Sequence, residues 1–243
     1  MGTMKKIVYV GLVGLMLVTA ACQSKKRQSA ATVSSQDAEA MFVEKIQPQY
    51  AEGFQVKYEN GICLLDIQDP QKAESQSFHY VLIPKGTEVE KLPEGYTPIE
   101  VPVKSVICMT SLQLSNFIKL DEMERVVGIT STRHLFNEEM KRRLKEGLTH
   151  KIGIEGNFDN EVIMGVNPDV ILISPFKRGG YDALKDVGIP LIPHLGYKEM
   201  TPLGQAEWVK FVGLMTGTEK KANACFAEIE KKYNTLKQKA SEV

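Results

Sequence analysis

The amino-acid sequence predicts an α/β fold whose main part is a parallel β-sheet with helices on both faces. From about Pro102 onward, short runs of β-branched and apolar residues alternate with amphipathic stretches of helical period. Strands that alternate with helices at this spacing are typical of parallel sheets covered on both sides. A segment of different pattern precedes this region, and one long amphipathic stretch follows it.

The main region, residues 101–217, contains the repeated strand and helix signals. The predicted strands are Ser105–Met109, Arg125–Ile129, Val170–Ser174 and Pro190–Pro193, with a weaker one at Lys151–Ile154. The predicted helices are Gln113–Leu120, Asn137–Glu146, Asn160–Val166, Tyr181–Val187 and Leu203–Thr216. This order predicts a Rossmann-like lobe, in which a ligand lies at the carboxyl ends of the strands.

Residues 41–100 have the pattern of a small antiparallel β element. Phe54–Tyr58 and Ile62–Ile67 read as two strands joined by an Asn-Gly turn. Phe78–Ile83 reads as a third strand, and the prolines and glycine between Pro93 and Pro98 indicate a loop.

Residues 218–243 are predicted to form one long helix. Thr218 is placed as its N-cap, and Glu219 is suited to the positive end of the helix dipole. One apolar stripe runs along the helix and is formed by Ala222, Cys225, Phe226, Ile229, Tyr233 and Leu236.

The start of the chain, residues 1–21, reads as a lipoprotein signal peptide. Lys5 and Lys6 precede an apolar run, Ile7–Val18, that is short for a permanent membrane span, and small residues lead to Cys22. Cys22 is therefore the predicted lipidation site; the alternative is an ordinary secretory signal with an incidental cysteine. Residues 22–40 are polar and aperiodic, which predicts a flexible tether. A lipid anchor would place the protein in the bacterial cell envelope, facing the periplasm or the outer face of the cytoplasmic membrane.

Composition and motifs argue against several other functions. The 30 basic residues balance 30 acidic residues, so nothing points to a nucleic-acid partner. The four histidines lack the spacing of a metal site, and the three later cysteines read as buried apolar residues. Phosphate-loop, dinucleotide and nucleophile-elbow motifs are missing from the sequence. We therefore expect no catalytic residues, no resident metal and no cofactor.

Polar and aromatic residues follow the predicted strands and form a candidate ligand rim. Thr110 and Ser111 are expected at its floor. The expected walls are Arg133, His134, Phe176, Lys177, Arg178 and Tyr197. Cations together with aromatic rings suit an anionic, partly apolar ligand of some size. The alternative is a set of ordinary polar loops, which every α/β domain has.

Five segments occur in an order that resembles a known family. They are Val126–Thr130, Gly153–Asn157, Asn167–Leu172, Gly188–Pro190 and Glu207–Phe211. Together with the lipoprotein signal, this pattern resembles the substrate-binding lipoproteins of ABC importers for iron-siderophore, haem and cobalamin, the class III periplasmic binding proteins. The resemblance covers about Val101 to Ala240. It implies an N-terminal lobe followed by an interlobe helix, and a second lobe is expected where this chain stops.

The resemblance also implies a function. Such a protein captures a metal chelate without catalysis and delivers it to an inner-membrane permease; which chelate it binds stays open. Glu161 matches the position at which this family carries a surface glutamate that docks the permease. The alternative for Glu161 is a first-turn residue that stabilises its own helix, with Asp159 and Glu155 nearby as other candidates. The alternatives for the whole chain are a truncated lobe without a transport role and an α/β enzyme.

Overall fold

The computed structural model describes residues 42–72, 77–130, 135–154, 156–174 and 181–242. The predicted signal peptide, the tether and the lipidation site Cys22 lie outside these ranges. Within the described ranges, no helix combines the length and the apolar character needed to cross a membrane.

The described elements follow one another in the predicted order. The strands are β1 (Phe54–Glu59), β2 (Ile62–Ile67), β3 (Phe78–Pro84), β4 (Thr97–Val101), β5 (Val106–Cys108), β6 (Val126–Ile129), β7 (His150–Lys151), β8 (Gly153–Ile154), β9 (Asn157–Phe158), β10 (Val170–Ile173) and β11 (Leu191–Pro193). The α-helices are α1 (Ser111–Lys119), α2 (Glu138–Lys145), α3 (Asn160–Val166), α4 (Asp182–Lys185), α5 (Pro202–Thr216) and α6 (Glu219–Ser241). Two 3-10 turns cover Met123–Arg125 and Gly196–Lys198.

The main sheet has the strand order β11-β10-β5-β6-β7, and every neighbouring pair is parallel. This confirms the predicted α/β fold with a parallel sheet. The chain moves from β5 through β6 to β7 on one side and returns to β10 and β11 on the other. The direction of winding therefore reverses between β5 and β10, which is the place where open parallel sheets usually bind ligands.

Helices cover both faces of this sheet, as predicted. On β5, Val106 and Cys108 belong to the larger core cluster, whereas Ile107 between them belongs to a second cluster. The larger cluster includes Phe117 of α1 together with apolar residues of α5 and α6. The second cluster includes Ile163 of α3 and Leu184 of α4. Because side chains alternate between the two faces of a strand, β5 contributes residues to two separate cores.

The N-terminal β element, residues 42–101, forms a sheet with the order β1-β2-β3-β4. The first three strands are antiparallel as predicted, but β4 pairs with β3 in parallel. The last two residues of the loop predicted near Pro93–Pro98 therefore belong to strand β4. Proline is tolerated there because β4 is an edge strand, where a missing backbone N–H costs little.

The weak strand predicted at Lys151–Ile154 is divided in the structure. His150 and Lys151 form the edge strand β7 of the main sheet, whereas Gly153 and Ile154 pair with β9 in a short antiparallel hairpin. The break occurs at Gly153, which has φ of +89°. A Cβ at this position would lie 2.4 Å from the carbonyl oxygen of Asn157, so the turn requires glycine.

The β element is attached to the edge of the main sheet. The hydroxyl of Tyr80 in β3 donates a hydrogen bond to the carbonyl of Leu191 in the edge strand β11 at 2.7 Å. The N–H of Val103 donates to the carbonyl of Met215 at the end of α5 at 2.8 Å. The two sheets therefore share the larger core cluster, which contains apolar residues from both.

Helix α6 is confirmed with Thr218 at its N-cap position, but the expected side-chain cap does not form. The side chain of Thr218 makes no capping hydrogen bond and pairs instead with the hydroxyl of Thr216 at 2.8 Å. The reason is that α5 ends at Gly217 with φ of 71°, and Thr218 N–H then donates to the carbonyl of Gly213. Thr218 therefore belongs to the turn that closes α5 as much as to the start of α6.

The apolar stripe of α6 is covered along its first half. Ala222 and Phe226 are buried, whereas Leu236 is 67% exposed. Cys225, Ile229 and Tyr233 are intermediate. The stability that this helix contributes therefore comes from its first three turns.

We expect Phe226→Ala to lower the free energy of unfolding by about 3–5 kcal/mol, because it leaves a cavity in the core. Leu236→Ala on the same helix should change it by less than about 0.5 kcal/mol, because the side chain is largely in solvent. Urea unfolding followed by circular dichroism measures both values. Equal losses in the two variants would show that the second half of α6 is packed as firmly as the first.

Candidate functional site

The carboxyl ends of the parallel strands form one edge of the main sheet, and polar residues follow several of them directly. Thr110 comes shortly after β5, Thr130 directly after β6, Ser174 after β10 and His194 after β11. Because β5 and β10 are neighbours at the reversal of winding, Thr110 and Ser174 flank the position where a ligand is expected.

Gln113 in α1 is the organising residue of this edge, although sequence reasoning missed it. Its side-chain oxygen accepts N–H bonds from Met109 at 2.6 Å and Thr110 at 3.1 Å. Its amide nitrogen donates to the carbonyl of Ile173 at 3.3 Å and lies 3.4 Å from the hydroxyl of Ser174. The fully buried Gln113 thus joins the ends of β5 and β10 across the reversal point.

Thr110 and Ser111, the predicted floor residues, lie at this edge with different surroundings. The Thr110 hydroxyl accepts the N–H of Gln113 and forms a capping box with it, so the hydroxyl already serves the start of α1. Ser111 is the first residue of α1 and is exposed. A Thr-x-x-Gln sequence ahead of an apolar run is the signal that would have identified Gln113.

Further hydrogen bonds close the rest of the described edge. The Thr130 hydroxyl donates to the carbonyl of Met109 at 2.8 Å, which joins the ends of β6 and β5. The Tyr181 hydroxyl donates to the carbonyl of Ser174 at 3.2 Å. The floor of the candidate site is therefore a set of polar groups that bind one another.

His194 is a buried part of this floor and not a free ligand. It is 1% exposed, and its ring lies 4.5 Å from that of Trp208, centroid to centroid. The amide nitrogen of Asn116 lies 3.2 Å from Nε2, so Nε2 accepts that hydrogen bond and the ring proton is on Nδ1. Burial lowers the pKa of His194 to about 3, which keeps the ring neutral near pH 7.

The segment after β11, residues 194–199, is named the β11 loop. Tyr197, a predicted wall residue, lies in its 3-10 turn; it is half-buried and packs against the larger core cluster. The next residue, Lys198, forms an ion pair with Asp69 of the β element. The structure therefore places Tyr197 beside the carboxyl edge, in a loop that the β element contacts.

The other predicted wall residues, Arg133, His134, Phe176, Lys177 and Arg178, lie outside the described ranges. The described residues before them, Thr130 and Ser174, directly follow β6 and β10 at the carboxyl edge. Sequence reasoning did not select Phe136, which is 81% exposed directly before the N-cap of α2. The sequence signal that could have identified Phe136 is its position between a polar segment and the capping residue Asn137.

Glu161 lies on another part of the surface, in the first turn of α3. Its side chain is exposed, and no ion pair involves it among the described residues. Asp159 is the N-cap, because its carboxylate accepts the N–H of Val162 at 3.1 Å, whereas Glu155 is outside the described ranges. Glu161 borders a surface cavity of about 380 Å³ between α3 and the β8–β9 hairpin.

Comparison with known proteins finds similar lipoproteins, while no family model matches the chain. The uncharacterized lipoprotein MJ0878 of Methanocaldococcus jannaschii is 28% identical over 153 residues, which cover 58% of this chain and 36% of that protein. The uncharacterized lipoprotein MJ0872 of the same organism is 23% identical over 250 residues, or 96% of this chain and 61% of that protein. The chain thus spans less than two thirds of the length of either relative.

Similar solved structures include those of SirA and PiuA. SirA of Staphylococcus aureus, complexed with staphyloferrin B, matches at a TM-score of 0.46 and 23% identity, covering 59% of this chain and 47% of SirA. PiuA of Streptococcus pneumoniae is an iron uptake ABC transporter substrate-binding protein. It matches at a TM-score of 0.48 and 16% identity, covering 58% of this chain and 49% of PiuA. Both TM-scores are below 0.5, so the fold assignment rests on the sheet topology described above.

The buried His194 predicts a loss of stability in weak acid. The unfolded chain binds a proton at His194 below a pKa of about 6.5, whereas the folded chain does so near 3, so stability falls as the pH drops through this window. Between pH 7 and pH 5, His194 should account for a loss of about 2 kcal/mol in the free energy of unfolding.

Urea unfolding at the two pH values measures this loss. His194→Gln should remove most of it, whereas His150→Gln, which changes an exposed side chain, should keep it. The assignment to His194 would be wrong if both variants kept the loss seen in the original chain.

Proposed function

We propose that this chain is the ligand-capturing lobe of an ABC-importer substrate-binding lipoprotein and that its ligand is a metal chelate. The observation that carries the proposal is the reversal of winding between β5 and β10, with a polar floor at that carboxyl edge. This is where parallel sheets bind ligands without needing catalytic groups. Among the described residues, no group of three or more His, Cys, Asp or Glu side chains is placed to hold a metal ion.

The closed floor determines what the site can recognise. Gln113 already bonds to Thr110 and Ser174, and Thr130 bonds to the carbonyl of Met109. These groups therefore offer a ligand a rigid surface more than free hydrogen-bond donors. Charge recognition then falls to the residues that follow β6 and β10, among which are the cations Arg133, Lys177 and Arg178. Guanidinium and ammonium groups suit carboxylates, catecholates or phosphates, and Phe176 with Tyr197 suits a planar ring.

Two further parts of the proposal come from the start of the chain. Cys22 would carry the lipid anchor, and residues 22–40 would tether the lobe at the membrane surface. The similarity to two proteins named as lipoproteins supports an envelope location. A permease of the cytoplasmic membrane is the proposed partner that receives the chelate.

A chelate that binds the folded chain should raise its melting temperature. Haemin, cyanocobalamin, a ferric tricatecholate and a ferric trihydroxamate are the probes. At about 100 times its Kd, a ligand stabilises the native state by about 2.7 kcal/mol, which corresponds to roughly 5–10 °C in a chain of this size. The absence of a shift with all four probes would count against the proposed function.

Arg133→Ala should then lower the affinity for that chelate roughly 10- to 100-fold, because it removes a charged partner of a ligand anion. Arg142→Ala is the matched control. Arg142 is exposed in the last turn of α2 and pairs there with Glu139 and Glu146, away from the carboxyl edge. Isothermal titration calorimetry separates the two variants, and equal losses would remove Arg133 from the site.

Glu161 is proposed to dock the permease. It is exposed, it has no ion pair among the described residues, and Asp159 holds the helix start in place. Exposed Ile154 and Met164, 62% and 54% accessible, belong to the adjoining hairpin and to α3 itself. A carboxylate near apolar residues can pair with an arginine of a membrane protein and fix its orientation.

Glu161→Ala should weaken binding to the permease reconstituted in nanodiscs roughly tenfold while leaving chelate affinity unchanged. Glu138→Ala is the matched control, because Glu138 is also an exposed first-turn glutamate but belongs to α2. Surface plasmon resonance gives the first quantity and calorimetry the second. An equal loss in both variants, or a loss of chelate affinity with Glu161→Ala, would refute the docking role.

A further inference from the structure

The β element reaches the candidate site at the β11 loop. After β2, the chain passes through residues 68–72, and Asp69 in this connection pairs with Lys198. The amide of Gln71 donates to the carbonyl of Lys198 at 2.8 Å. Lys198 directly follows Tyr197, so two side chains of the β element hold the residue next to a predicted ligand contact.

The Asp69–Lys198 pair is largely enclosed by the protein. The side chains are 1% and 15% exposed, respectively. Burial opposes ionisation of Asp69, but hydrogen bonds from Lys198 and from the N–H of Gln71 lower its pKa below the usual value. Water does not screen such a pair as it screens the surface pairs of α2. The pair therefore fixes the end of the 3-10 turn that contains Tyr197.

A second contact acts at the same end of this turn, one residue further along. The carboxylate of Glu199 accepts the N–H groups of Glu52 at 3.1 Å and Gly53 at 2.9 Å, just before β1. The same carboxylate accepts the indole N–H of Trp208 at 2.8 Å. The β11 loop is thus held between α5 and the β element at Lys198 and Glu199.

We propose that the β element is a working part of the ligand site, in which Asp69 is a positioning residue that sets the place of Tyr197 through Lys198. This inference rests on the proposed function, because it needs a chelate at the carboxyl edge. Asp69 would then contribute to the affinity for the chelate without touching the chelate. It would act by keeping the β11 loop in the geometry that the ligand requires.

The test compares variants of the pair in the full chain, with whichever of the four chelate probes the original chain binds best. Asp69→Asn keeps an oxygen for the N–H of Gln71 but removes the charge that holds Lys198. Lys198→Met removes the other charge at similar length. Each should weaken chelate binding roughly five- to tenfold, and the double variant should lose no more than either alone, because the two residues act as one unit.

Two controls separate positioning from general loss of stability. Lys198→Arg keeps the charge and should restore most of the affinity. Asp66→Asn is the matched substitution in the same β element. The hydrogen-bond partners of Asp66 among the described residues are His79 and Tyr96, which belong to the β element. This substitution should leave the affinity unchanged. Amide hydrogen exchange should quicken in residues 194–199 of Asp69→Asn while the main sheet stays protected.

The outcomes distinguish the two proposals. If the original chain binds none of the probes, the proposed function fails, and the inference fails with it. If the original chain binds a probe and Asp69→Asn binds it equally well, the inference alone is wrong. Equal losses in Asp69→Asn and Asp66→Asn would also overturn it, because the effect would then come from the stability of the β element.

Discussion

The buried carboxylate of Glu207 holds the two parts of this protein together. It is fully buried in α5 and accepts the N–H groups of Gln49, Tyr50 and Ala51 at 2.9, 2.7 and 2.8 Å, respectively. Lys210, one turn later, donates to it at 2.7 Å. A buried charge is tolerated only when it is paired and hydrogen-bonded, so this carboxylate requires the chain before β1 to lie against α5. The attachment of the β element follows from that requirement.

The same helix determines the position of the site. Trp208, next to Glu207, packs on Phe54 of β1 and on His194 of the β11 loop, with ring centroids 4.9 and 4.5 Å apart. A Cβ at Gly53 would lie 2.9 Å from the Trp208 ring, so the chain approaches this closely because it has glycine there. One indole ring therefore contacts both the β element and the carboxyl edge. Because the packing is close, a shift of either one would displace the other.

Local patterns in the sequence predicted the fold well, because they reflect local forces. Strand β10 forms where an apolar run predicts it and contributes to two cores, and α3 spans Asn160–Val166 as predicted. The features that the sequence did not predict depend on residues that are distant along the chain. Strand β4 contains Pro98 and is stable only beside β3, and Gln113 gains its importance from strand ends sixty residues away. The burial of His194 likewise depends on α1 and α5, which no local pattern near it indicates.

The candidate site has a polar floor at the strand ends and loops that carry the predicted ligand contacts. This arrangement explains why the sequence indicates a class of ligand but not one chelate. Floor groups such as Gln113 and Thr130 are satisfied by backbone groups of neighbouring strands, so their geometry follows from the sheet and says little about the ligand. The predicted charged and aromatic contacts belong to the loops, and the arrangement of a loop depends on the contacts that hold it. The β11 loop is fixed from outside the lobe, because Lys198 in this loop forms an ion pair with Asp69 of the β element. Under the proposed function, selectivity at that end of the candidate site would depend on two chain segments, and changes in the β element would alter it without any change in the residues that touch the ligand.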